Sequence, residues 1–238
     1  MSLGSFSLSA PALLLDILSP RRCLGCTAFL EHPLQKRPVS GGPELFLCSA
    51  CYGQLRSAEP LSGTGGALDR VFSAYLYPGL LEHLLPIWKY HRGYHIFPLI
   101  KALVRAAAND FTTLFAGEPQ IDLEVAVPLT SLGLYRRGFN QSFYIASCLG
   151  GVLGLKPEAN LLCKKKETPH QAGLERRQRL SNLNASVFAV SDLAAISRRH
   201  ILVCDDVMTT GTTLNAVAAS LKAAGAATVS AFTLARVP

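Results

Sequence analysis

The stretch HILVCDDVMTTGTT, His200 to Thr213, sets an apolar run against two adjacent acids and then a loop of small hydroxyl residues around one glycine. Ile201, Leu202, Val203 and Cys204 are four successive apolar residues that end abruptly at charge, the pattern of a short strand buried on both faces. Asp205 and Asp206 are then expected at the strand's carboxyl end. Downstream, Leu214, Val217, Ala218, Leu221 and Ala224 recur at helical spacing, and Gly225 stands where a helix-terminating glycine belongs. The TTGTT loop therefore lies at a helix N-terminus, where unpaired N–H groups and the positive end of the helix dipole converge on anions. Gly211 permits close backbone approach, and Thr209, Thr210, Thr212 and Thr213 offer hydroxyls. The acids suit sugar hydroxyls or a hard cation such as Mg²⁺. A ligand carrying both a diol and a phosphate satisfies the whole constellation; an ordinary turn with solvated acids is the plainer alternative.

A second signal lies near the other end. Cys23 and Cys26, then Cys48 and Cys51, form two CxxC pairs, a spacing that lets four thiolates surround one tetrahedral Zn²⁺. The remaining cysteines, Cys148, Cys163 and Cys204, stand singly and read as buried or incidental thiols. An odd total of seven, with no secretory signal ahead of the quartet, argues against a disulfide framework. No thioredoxin-like strand surrounds either pair, which argues against a redox role. The segment around the quartet is rich in Pro and Gly and too small to bury a core, so it needs the metal as a staple.

With 238 residues, 49% of them hydrophobic, the chain can build one main domain and a small appendage. The expected division is an N-terminal helix and zinc ribbon over residues 1–60, then a main domain over 68–238, joined through the linker chemistry of Glu59 to Ala67. The apolar stretch Ala10 to Leu18 is too short to span a bilayer and reads as a docking helix; the composition fits a cytoplasmic protein. Strands are expected at Val71 to Tyr77, Val125 to Pro128 and Thr228 to Leu234. Helices are expected at Leu80 to Trp88 and Phe97 to Phe115, interrupted by Lys89 to Gly93, and at Phe143 to Leu153. A loop is expected from Pro128 to Gln141. Strands alternating with helices give an α/β fold with a mostly parallel sheet flanked by helices, whose ligands bind beyond the strands' carboxyl ends.

Two acids followed by TTGTT after an apolar strand resemble the 5-phosphoribosyl 1-pyrophosphate (PRPP) motif of the type I phosphoribosyltransferases. With the cysteine quartet, Lys89-Tyr90 with Gly93, Val127-Pro128 leading to Arg137 through Gln141, and Thr168, Gln171 and Leu174 with Arg179 and Asn182, the chain resembles the ComF family of double-zinc-ribbon, phosphoribosyltransferase-like proteins. The resemblance implies a type I phosphoribosyltransferase-like fold with a small N-terminal four-cysteine zinc ribbon. It implies that Asp205 and Asp206 hold the ribose and Mg²⁺, directly or through water, as the residues closest to catalysis. Val207, Met208, Thr209, Thr210, Gly211, Thr212 and Thr213 complete the PRPP site.

The same resemblance assigns the Pro128 loop, with Thr130, Arg136, Arg137, Asn140 and Gln141, to the pyrophosphate. It assigns Lys164 to Asn182, with Lys164, Lys166, Gln171 and Arg179, to a cationic hood that closes over the ligand. The chain departs from the family pattern at Thr130 and Gly133, where relatives often carry His and a basic residue, which implies a weaker grip on pyrophosphate. Val187-Phe188 also arrives one residue later than the pattern leads one to expect.

Two functions are consistent with these features. One is phosphoribosyl transfer to an unidentified nucleophile with release of pyrophosphate. The other is PRPP-liganded binding of single-stranded DNA in DNA uptake, alongside competence proteins and without turnover; a PRPP-sensing regulator uses the same loop chemistry. For the second, the net charge of +7 and the ribbon's Arg21, Arg22, Lys36 and Arg37 supply an electrostatic footprint for phosphates. Phe29, Phe46 and Tyr52 are then base-stacking candidates or, more commonly, filling for a metal-stapled mini-core.

Overall fold

A computed structural model describes residues 21–30, 42–59, 61, 66–90, 93–164 and 187–238. In chain order its elements are a short helix α1 (Ser49–Tyr52), strand β1 (Arg70–Leu76), helices α2 (Leu80–Tyr90) and α3 (Phe97–Leu114), strand β2 (Leu123–Ala126), helices α4 (Ser131–Arg137) and α5 (Gln141–Leu153), strands β3 (Leu162–Lys164) and β4 (Phe188–Val190), a one-turn helix α6 (Leu193–Ile196), strand β5 (His200–Met208), helix α7 (Thr212–Ala223) and strand β6 (Thr228–Arg236). The expected docking helix at Ala10 to Leu18, and Lys36 and Arg37, lie outside the described residues.

Strands β1, β6, β5 and β2, in that order, form one all-parallel sheet. β5, inside the sheet, carries the apolar run from Ile201 to Cys204. Alternation along it divides the core: Leu202 and Cys204 join the layer built by α2, α3 and α5, whereas Ile201 and Val203 face Leu214, Val217, Ala218 and Leu221 of α7. Both faces are covered, which is why no polar residue interrupts the run until Asp205. α7 ends where the sequence places its end, with Gly225 at φ 96° just past the cap, a left-handed conformation that favours glycine.

The structure departs from three expectations. β5 does not stop at the acids: β6 runs alongside, pairing Asp205 with Thr233, Val207 with Ala235 and Met208 with Arg236, so pairing carries the strand on to Met208. The stretch after Pro128 is not all loop. Thr130 caps a helix by accepting from the Gly133 amide, and Gly138 at φ 79° closes it, so Ser131–Arg137 forms two turns. Lys89 and Tyr90 belong to the last turn of α2 rather than to the interruption after it. A small antiparallel sheet of β3 and β4, unforeseen in the sequence, pairs Lys164 with Phe188.

Packing holds the last turn of α2 in place. Pro86 inside the helix removes one hydrogen bond and costs about 3 kcal/mol. Against that stand five buried side chains, Leu80, Leu81, Leu84, Leu85 and Trp88, each contributing about 1.5–3 kcal/mol. Trp88 sits among Phe97, Phe139 and Tyr144 with ring centroids 5.5–5.9 Å away, so the α2 terminus is fastened to the segment between α4 and α5.

Tight packing also marks Gly150 on α5. A β-carbon there would press on the Glu124 carboxylate and lie 2.7 Å from the Leu155 carbonyl oxygen, which is backbone and cannot swing away. Gly150→Ala is expected to destabilise the fold by roughly 1–3 kcal/mol, read as a lower urea midpoint with unchanged slope. An unchanged midpoint would show that α5 can shift off the sheet.

Candidate functional site

The site assembles where β5 gives way to α7. Asp205 Oδ1 accepts from the Ser142 hydroxyl at 2.7 Å and from the Asp206 amide at 2.9 Å. Asp206 Oδ1 accepts from the Val207 amide at 2.7 Å, while its Oδ2 lies 2.6 Å from the Lys89 ammonium. Burial first, and then the neighbouring Asp206 charge, push the Asp205 carboxyl up to about 7. The Ser142 hydroxyl, the Asp206 amide and Lys89 pull the other way. Among the described residues no hydrogen bond reaches Asp205 Oδ2, which leaves one carboxylate oxygen available to a ligand hydroxyl or a hydrated cation.

Beyond the acids the chain turns through Gly211 at φ 73° into the first turn of α7. A side chain at that position is strained, so the turn depends on glycine. Thr209, Thr210, Thr212 and Thr213 are exposed around it, with Thr210 and Thr212 hydroxyls 2.8 Å apart. Gly211 gives α7 no side-chain cap, the Thr212 amide meets the Thr210 hydroxyl at 3.5 Å, and this helix N-terminus opens beside the four exposed hydroxyls. Asn215 braces the turn from behind, its Nδ2 donating to the Gly211 carbonyl and its Oδ1 accepting from the Leu68 amide.

The Pro128 segment borders this site. Asn140 is internally committed: Oδ1 caps α5 through the Ser142 and Phe143 amides, and Nδ2 donates to the Val127 carbonyl. Arg137 donates to Gln141 Oε1 at 3.2 Å and to the Tyr90 hydroxyl at 3.1 Å, and its guanidinium lies 5.1 Å from the Tyr90 ring centroid. Gln141 is buried, and its Nε2 has no partner among the described residues. Arg136 is exposed. Lys164 is exposed on β3, its ammonium 5.9 Å from the Phe188 ring centroid. Lys166, Gln171 and Arg179, together with Thr168, Leu174 and Asn182, lie outside the described residues.

The cysteine quartet converges at the other end of α2. The sulfurs of Cys23, Cys26, Cys48 and Cys51 all lie within 4.8 Å of one another, a cage that can hold a metal ion. Burial pushes the Cys23 thiol up, but hydrogen bonds from the Cys48, Cys26 and Gly25 backbone outweigh it and hold the group at about 6, where it is readily a thiolate. The cage is seated on the main core. Cys23, Leu47 and Cys51 pack into the same cluster as Leu80 and Leu81, and a β-carbon at Gly25 would lie 2.7 Å from Leu80 Cδ1.

Known proteins are similar in sequence to part or most of this chain. The phosphoribosyl transferase domain family matches residues 162–238, the part that carries β5, the Gly211 turn and α7. Competence protein F of Haemophilus influenzae is 29% identical over 213 residues, covering 80% of this chain and 90% of the relative. The DNA utilization protein YhgH of Salmonella typhi is 36% identical over 120 residues, covering 50% of this chain and 52% of the relative. That of Escherichia coli K12 is 34% identical over 115 residues, covering 48% and 49%. These matches support the resemblance to the ComF family. The chain spans about half the length of the YhgH relatives it matches. Among the described residues, no helix is long and apolar enough to cross a membrane.

Three residues that contact this site have no role assigned by sequence alone. Ser142 lies in a helix that reads as apolar, though it follows the capping Asn140 and so projects from the first turn of α5. Lys89 and Tyr90 stand out in the sequence only through the family resemblance. Their signal is positional: they follow Trp88, whose burial makes the end of α2 rigid enough to hold a long side chain against Asp206.

Proposed function

We propose that this chain, which resembles the ComF family, binds Mg²⁺-complexed PRPP at the carboxyl end of its parallel sheet. The observation that carries the reading is the pairing of Asp205 and Asp206 with the Gly211 turn, where a diol-binding carboxylate pair precedes an outward-facing anion cradle on one continuous stretch. Asp205 Oδ2 takes a ribose hydroxyl, the Thr209 to Thr213 loop takes the 5′-phosphate, and Arg136 and Arg137 face the pyrophosphate. The donor set fits a hard cation held through water, because Asp206 already has Lys89 on one oxygen and a backbone amide on the other. Bound with the ligand, Mg²⁺ supplies charge neutralisation on the pyrophosphate. The cysteine cage holds one structural Zn²⁺.

The biological setting proposed for this chemistry is DNA uptake, as the name of the Haemophilus relative indicates for that protein. One observation favours ligand binding without turnover over transfer. The Gly133 and Leu134 amides are spent inside α4, on the Thr130 hydroxyl and carbonyl, so part of the backbone expected to grip a leaving pyrophosphate is already engaged.

Calorimetry with Mg²⁺-PRPP tests the reading. Asp205→Asn/Asp206→Asn keeps side-chain size while removing both charges and is expected to weaken binding more than tenfold, about 1.4 kcal/mol or more. Equal affinity in the two proteins, at matched thermal stability, would remove the acids from the ligand site and the proposal with them.

A further inference from the structure

We propose that Lys89 is the resident cation of the ribose subsite, so that the acid pair binds the sugar without a metal and Mg²⁺ is needed only for the pyrophosphate. The inference rests on the PRPP reading and deepens it by assigning a role to a side chain outside the acid and threonine loop.

The geometry is specific. The Lys89 ammonium lies 2.6 Å from Asp206 Oδ2, with side-chain exposures of only 18% and 11%, so the pair is shielded from bulk water and its partner is not interchangeable with solvent. The lysine has little freedom to leave. Trp88 beside it is fully buried in an aromatic box, and Gly93 leaves no room for a β-carbon, which would lie 2.8 Å from the Ile87 carbonyl oxygen where the chain turns back on the helix. The next residue, Tyr90, accepts from Arg137 and stacks beneath its guanidinium. Adjacent residues on one helical turn therefore touch the ribose acids and the pyrophosphate segment.

Charge decides what the lysine does there. Two carboxylates side by side repel each other and any approaching phosphate ester. A third charge of opposite sign, fixed at 2.6 Å, compensates one of them without using a coordination site. Asp206 then has its Oδ2 on Lys89 and its Oδ1 on the Val207 amide, while Asp205 keeps Oδ2 for the sugar. A metal ion bound at Asp206 Oδ2 would have to compete with the ammonium for that oxygen.

Ribose 5-phosphate isolates this subsite, because it carries the diol and the 5′-phosphate but no pyrophosphate. Calorimetry with ribose 5-phosphate, in chelator-free buffer without Mg²⁺ and in Mg²⁺, is expected to give the wild-type chain equal affinity within about twofold. Lys89→Met is expected to bind at least tenfold more weakly without Mg²⁺ and to regain most of that loss in Mg²⁺, which replaces the missing charge. Lys89→Arg should stay near wild type in both. Thermal melts of the three proteins separate a folding defect from a binding one, and the Mg²⁺ rescue is a response that mere loosening of α2 would not produce.

Wild-type binding of ribose 5-phosphate that requires Mg²⁺ overturns the inference. So does its absence alongside measurable binding of Mg²⁺-PRPP, or a Lys89→Met protein indistinguishable from wild type without Mg²⁺. Failure of both ligands to bind the wild-type chain under either condition would instead overturn the PRPP reading on which the inference stands.

Discussion

Replacing Cys51 with serine is expected to strip the metal from the chain and lower its melting temperature by on the order of 10 °C. Apparent binding energies of structural Zn²⁺ in small cysteine sites run to about 10–16 kcal/mol, and even a third of that is roughly 4 kcal/mol of lost stability in a domain this size. The loss reaches the main core because the cage is not a free appendage. Cys51 is buried, Gly25 sits between its sulfur and Leu80, and Cys23 and Leu47 share a cluster with α2. Without a metal the four sulfurs, gathered within 4.8 Å, are held only by backbone amides on Cys23 and by thiol contacts such as the 3.6 Å approach of Cys26 and Cys48. Elemental analysis of the purified chain should find one zinc per molecule, and little in Cys51→Ser. A wild-type chain purified with no zinc, or a variant that melts with it, would reduce the quartet to a cluster of small buried side chains.

What is legible in the sequence tracks how local each cause is. β5 can be read because burial on both faces leaves a continuous apolar run, and α7 because its spacing, the Gly211 turn and Gly225 all lie within one stretch. The cysteine cage is legible because ligand chemistry restricts spacing. Elements whose cause is a distant partner are harder. Asp205 and Asp206 belong to a strand rather than its end because β6 pairs past them. α4 reads as a loop because Arg136, Arg137 and Gly138 resemble one, although Thr130 and Gly138 bracket it as caps. β3 and β4 are three residues each, too short for alternation to show.

The same distinction separates the acids from their partners. Asp205 and Asp206 announce themselves as a pair beside a glycine turn. Lys89 acquires meaning only when α2 is laid against the carboxyl end of β5, and Ser142 only when α5 is capped by Asn140 and its first turn meets Asp205. Fold assembly therefore adds the counter-charge and the hydroxyl that tune the acids, while the residues nearest the proposed ligand are readable in advance. Glu124 is hidden for a related reason. The apolar pattern starts the strand at Val125, but pairing of Leu123 with Ile201 starts it two residues earlier and draws a carboxyl into the core.

That carboxyl sets the second large effect, a stability that falls as pH rises. Glu124 is fully buried between β2 and α5, and desolvation pushes its carboxyl up to about 7, only partly opposed by the Cys204 thiol donating to Oε1 at 3.3 Å. Oε2 has no partner among the described residues and lies, with the Leu155 carbonyl oxygen, against the space that a Gly150 side chain would fill. Below about pH 4.5 native and unfolded chains both hold the proton, and the group is neutral in the balance. Between about 4.5 and 7 the unfolded chain ionises while the native one does not, so stability drops with each pH step. Above 7 the full penalty of about 3 kcal/mol is in place. Glu124→Gln removes the titration and sets an amide donor beside a carbonyl acceptor. It is expected to match wild type near pH 4 and exceed it by about 3 kcal/mol at pH 8. Urea denaturation of both proteins across that range reads the difference directly, with any pH dependence of the cysteine cage cancelling between them. Parallel curves would mean that Glu124 finds water or a partner for its charge, and that the core between β2 and α5 is wetter than its packing shows.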